Sequence, residues 1–96
     1  MGKIITTENK IIDKKPENGE VFSKEELEDV VLGTISIMPC GEDFMVMNSK
    51  GLYFELPLNE LASRLYCEKN NLKNLKILGH VLVAPKSELG EYEEEE

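Results

Sequence analysis

Ten residues near the end of the chain, Leu75 to Ala84 (LKILGHVLVA), are apolar at most positions of both parities. A strand with one wet face alternates apolar and polar residues. A run that is apolar at both parities has the pattern of a central strand covered on both sides. Pro85 closes the run. The rest of the chain must therefore provide two covers for one strand. With 96 residues it has material for a single domain. One face of the strand is expected to need a second copy of the chain, most simply as a two-fold homodimer.

The elements that could supply the covers are legible. Ile4-Ile5 and Ile11-Ile12 are short β-prone runs, followed by the turn signal Lys15-Pro16-Glu17-Asn18-Gly19 and by extended chain at Glu20-Val21-Phe22. Ser23-Lys24-Glu25-Glu26 is a capping box, and Leu27, Val30 and Val31 put one apolar face on a helix over 24–32, with Gly33 at its C-terminal stop. Thr34 to Met38 alternates as a strand, and Pro39 to Asp43 reads as a turn. Phe44 to Asn48 and Leu52 to Leu56 are two more strands around the Ser49-Lys50-Gly51 turn, which together predict an antiparallel meander. Asn59 caps a short helix over 60–68, with Leu61 and Leu65 as i, i+4 partners. The expected fold is α+β: a small, mainly antiparallel sheet of about five strands with one or two short helices packed on it.

Charge divides the chain in two. Of the net charge of −8, six units come from SELGEYEEEE, which holds six Glu and no Lys or Arg, so residues 1–86 are nearly balanced. We expect one domain over 1–86 and an acidic, disordered tail over 87–96. A nearly neutral body gives no basic surface for phosphates, so no direct nucleic-acid binding is expected. No stretch has the length of a membrane span, and the N-terminal MGKIITTENK lacks the apolar core of a signal peptide. Gly2 with Thr6 formally meets the short myristoylation pattern, which also arises by chance. Two cysteines make no disulfide framework, and the expected location is the cytoplasm, away from membranes.

Three motifs stand in a definite order. Gly33 is followed by Ile35-Ser36-Ile37-Met38-Pro39; then come Asn48-Ser49-Lys50-Gly51 and Leu56-Pro57-Leu58-Asn59; last is Ile77-Leu78-Gly79-His80-Val81-Leu82-Val83. Over residues 20–84 this resembles the DUF3846 domains, small domains of bacteria, their phages and mobile elements. Their recurring features look like G-x-I-E-x-V-P, N-E-x-G, L-P-x-N and I-x-G-x-x-x-V. Ser36 and Ser49 stand where that family has Glu. The family carries no assigned activity. The resemblance implies the order of elements and a phage or mobile-element setting.

No catalytic or metal-binding constellation is recognisable. Cys40, Cys67 and His80 are isolated, whereas a structural zinc site needs four ligands with paired spacing. A Cys40–His80 nucleophile–base pair has no local signature to support it. His80 lies among apolar residues, where a satisfied sheet histidine is the simpler reading. Glu25, Glu26, Glu28 and Asp29 read as the cap and wet face of the first helix. Asn48 and Asn59 suit turn and N-cap duty. The sharper alternative has both amides facing one groove beside Tyr53 and, with His80, binding a polar ligand. The residues therefore point to a non-catalytic binding protein with no cofactor, whose partner is a host protein or a small polar ligand. An accessory or counter-defence factor fits the setting that the resemblance implies. The alternative is a small hydrolase or transferase with a site assembled across an oligomer interface.

Overall fold

The first hairpin forms from the two isoleucine pairs. The computed structural model describes residues 2–17, 19–51 and 53–89. In it β1 (Gly2–Ile5) pairs antiparallel with β2 (Ile11–Lys14). The turn between them is closed by its own polar groups. Thr6 N–H donates to Lys10 O at 2.9 Å, Asn9 N–H to Thr6 O at 3.1 Å, and the Thr6 hydroxyl accepts from Glu8 N–H and Lys10 N–H. Asn9 takes the left-handed φ of 63° that this turn requires and that asparagine tolerates.

Helix α1 (Lys24–Val31) begins at Ser23, as its capping box predicts. Its end differs from the expectation: Leu32, not Gly33, takes the left-handed conformation, at φ 63°. Gly33 is small for another reason. A Cβ there would lie 2.7 Å from Asn48 Nδ2, so the glycine makes room for that amide.

Strands β3 (Ile35–Cys40) and β4 (Asp43–Asn48) form the second hairpin. Pro39 and Cys40, expected in a turn, continue β3 instead. Proline fits because Pro39 lies on an edge strand with its backbone facing outward, where no ladder N–H is needed. Helix α2 (Glu60–Asn70) starts at Asn59 and runs two residues past the expected end, to stop at Asn71 with φ 55°. Strand β5 (Val81–Ala84) completes the sheet, followed by a 3-10 turn at Lys86–Glu88.

The sheet order is β2-β1-β5-β4-β3, and every pairing is antiparallel. The doubly apolar segment is thus the central strand, as its composition requires. Two expectations need correction. The strand predicted over 75–84 is confined to Val81–Ala84, because Gly79 turns the chain with φ 81° and leaves Leu78 only an isolated bridge to Leu58. The strand predicted over 52–56 does not form. Tyr53 to Glu55 are turn, Glu55 has φ 53°, and Leu52 lies outside the described residues. The place beside β4 is taken by β5, a better apolar match for Met45 and Val46.

Both faces of β5 are covered within one chain. Val81 packs with Ile5, Met45 and the α2 residues Ala62 and Tyr66. Leu82 and Ala84 pack on the other face with Phe22, Val46 and the α1 residues Leu27 and Val31. The reason for expecting a second copy, an uncovered face of the central strand, is removed. Leu89 joins the α1-side core, three residues beyond the boundary drawn at 86. Residues 90–96 of the acidic segment lie outside the described residues.

One carboxylate ties the first connection to α1. Glu26 accepts from Ser23 N–H at 2.9 Å and from Glu17 N–H at 3.0 Å. Burial disfavours its charge. The Ser23 and Glu17 N–H groups, the Ser23 hydroxyl and Lys14 outweigh that and hold the carboxyl below its ordinary value of 4.5. A depressed folded-state pKa gives stability that is present above the unfolded value and lost as pH falls through the folded one. Glu26→Gln should therefore lower the urea midpoint at neutral pH. The gap to the parent should narrow as pH falls below the ordinary value of 4.5 and through the lowered folded-state value, as protonation makes the two side chains alike. A gap that stays constant over that range would show that the charge contributes nothing.

Candidate functional site

The register gathers three of the four expected site residues at one end of the sheet. Val46 pairs with Leu82, which sets Asn48 beside His80 where β4 ends and β5 begins. Ile5 pairs with Val81, so the β1–β2 turn lies at the same end. Asn59 joins them by donating to Ile5 O and Gly79 O, both at 2.9 Å.

The side chains nevertheless point apart. Asn48 is on the α1 face, where Nδ2 donates to Val31 O at 3.0 Å and Oδ1 accepts from Lys50 N–H at 2.7 Å. It secures a carbonyl at the end of α1 and the turn after β4 with one amide. Asn59 is on the α2 face and fully buried. Its Oδ1 caps Ala62 N–H at 3.0 Å while both Nδ2 bonds hold β1 and the Gly79 turn. With the sheet between them, the two amides do not share a groove, which corrects that expectation. Each is engaged by backbone, as turn and capping duty require.

His80 is half-buried, and its Nδ1 accepts from Thr7 N–H at 3.2 Å. The imidazole therefore latches the β1–β2 turn to the start of β5. Cys40 ends β3, paired with Asp43 at the far end of β4, so roughly 17 Å of strand separates it from His80. Burial pushes the Cys40 thiol up; nearby Lys69 opposes this and Asp43 adds to it. A raised thiol is a poor nucleophile. Cys67 is half-buried and donates weakly to Leu75 O. Among the described residues no three His, Cys, Asp or Glu side chains are grouped to hold a metal ion.

Tyr53 is the exception among the expected residues. Its side chain is 80% exposed and Phe54 beside it is 57% exposed, with the rings edge to face at 5.1 Å. Phe54 N–H donates to Lys50 O and Leu56 N–H to Gly51 O, so the turn carrying both rings is built by its own backbone. Leu56 packs on Gly79, which ties the turn to the segment leading into β5. The sequence reading placed Phe54 in a strand and missed its exposure. The signal was present in two adjacent aromatics between Gly51 and Pro57: a strand would turn them to opposite faces, so both are buried only where the strand is covered on both sides. Also missed was the exposure of Ile11 and Ile12, which pair with Ile5 and Ile4 but lie beyond the reach of either helix cluster.

No helix of the described residues is long and apolar enough to cross a membrane. No family model, curated protein or solved structure matches this chain.

Proposed function

We propose that this chain is a non-catalytic binding protein that engages a host protein through the Tyr53–Phe54 turn. The observation that carries this reading is the exposure of two adjacent aromatic rings on a turn closed by backbone hydrogen bonds. Aromatic side chains left in water are costly unless a partner covers them, and they dominate the energetics of protein interfaces. A small polar ligand is the weaker reading. Such ligands sit in concave sites with polar groups free to orient them, and the amides of Asn48 and Asn59 are already engaged. Two unpaired cysteines suit a reducing compartment, consistent with action in the cytoplasm. The resemblance to phage and mobile-element domains favours an accessory or counter-defence role.

The test is purification from bacterial cells under native conditions, with the parent chain and a Tyr53→Ser, Phe54→Ser double variant side by side. The parent is expected to retain a host protein, and the double variant to bind it about thirtyfold more weakly, the loss of a typical aromatic anchor. Both side chains are exposed, so the urea midpoint should be unchanged. Equal retention by the double variant, or turnover of a substrate by the purified chain, would overturn the proposal.

A further inference from the structure

The two edges of the sheet are treated differently. At β3 the outward backbone positions are Ile35, Ile37 and Pro39. Proline offers no N–H, and Pro39 O is taken by Asn70 Nδ2 at 3.0 Å, so one end of that edge is closed. At β2 the bond from Thr6 N–H to Lys10 O sets the alternation. Ile12 and Lys14 turn their backbone groups toward β1, and Ile11 and Asp13 turn theirs outward. Ile11 is 55% exposed and Ile12 49%, one on each face of the sheet. A strand with apolar side chains on both faces and outward N–H and C=O groups is a template for another strand.

The charges on this edge choose the occupant. Lys10 and Lys14 flank Ile12 on the α1 side, while Ile11 and Asp13 share the other side. Lys14 also faces the Glu26 carboxylate, so the exposed Lys10 is the freer of the two cations. A second copy fits poorly, because a two-fold pairing must align outward residues with outward residues. Centred on Ile12, it sets Lys10 opposite the partner's Lys14 twice; centred on Asp13, it sets two aspartates face to face. Centred on Ile11, it runs into the turn at Asn9, whose φ is 63°. Like charges directly opposite destabilise a strand pair.

We infer that β2 is a docking edge for an extended segment of a partner protein, paired antiparallel, in which two acidic residues bracket a short apolar stretch. Opposite Lys14, Asp13, Ile12, Ile11 and Lys10 the complementary order is acid, hydroxyl, apolar, apolar, acid, for which Glu-Thr-Val-Val-Glu is the simplest example. The surface is separate from the Tyr53–Phe54 turn and does not depend on it.

The experiment is amide NMR on the full-length labelled protein, titrated with the blocked peptide Glu-Thr-Val-Val-Glu and, in parallel, with Lys-Thr-Val-Val-Lys. The acidic peptide should shift the Ile11 and Asp13 amides saturably and slow their exchange, leaving Ile35 and Ile37 unmoved. A Lys10→Glu, Lys14→Glu variant should bind the acidic peptide about tenfold more weakly and reverse the preference between the two peptides. The first substitution lies on an exposed side chain, and Lys10→Glu alone serves if the pair unfolds the hairpin. Shifts confined to the β3 edge, equal response to both peptides, or no saturable shift at Ile11 and Asp13 would overturn the inference. So would slow exchange of those amides in the free protein that is lost on dilution, which would identify a second copy, or on removal of residues 91–96, which would identify the chain's own acidic segment.

Discussion

Asn59→Ala should lower the unfolding free energy by about 3–4 kcal/mol, the largest effect expected of any polar substitution in this protein. The side chain is fully buried and makes three hydrogen bonds, one accepted from Ala62 N–H and two donated to Ile5 O and Gly79 O. Losing the cap alone costs about 1 kcal/mol. The greater part comes from buried carbonyls that lose a donor where no water can replace it. Asn59→Asp separates the two contributions, since it keeps the cap and replaces both donors with lone pairs aimed at two carbonyl oxygens. It should be at least as damaging as alanine in urea denaturation at neutral pH. If aspartate restores most of the stability, the amide donors are dispensable and Asn59 is only a cap.

Met45→Ala and Leu82→Ala should each cost about 2–5 kcal/mol, the range for truncating a long aliphatic side chain in a packed core. Both are completely buried, Met45 on the α2 side of the sheet and Leu82 on the α1 side. Neither loss should depend on protein concentration, because each face is covered by a helix of the same chain. Urea midpoints of both variants and the parent, measured over a hundredfold range of concentration, check this. A midpoint that rises with concentration for one variant alone would mean that its face is completed by another copy, and the account of the core would fail.

The local features were legible because they depend on neighbours a few residues away. Ser23 and Glu26 reach each other within one turn, so the capping box alone locates the start of α1. Asn59 three residues before Ala62 does the same for α2. The doubly apolar Val81–Ala84 stretch was legible as the centre of the sheet, because no edge strand could hide both of its faces. The turn at Tyr53 was misread because Leu52 to Leu56 has the composition of a strand. Its actual state depends on β5 competing for the side of β4, and β5 lies more than thirty positions further along the chain.

The expected site shows the same division. That Asn48, Asn59 and His80 matter could be read from their positions in turns and at a helix start. What their side chains hold could not. Asn48 meets Val31 O across 17 positions, Asn59 meets Ile5 O across 54, and His80 meets Thr7 N–H across 73. Residue types and short spacings determined the helix starts, the tight turns and the demand for a central strand with two covers. Only the tertiary structure decided that two helices of one chain meet that demand from opposite faces. It also decided that the sheet separates the two amides, and that β2 and β3 are the edges, with the Pro39 end of β3 closed by Asn70. These outcomes depend on register and strand order, which are set by which apolar faces bury each other across the whole chain.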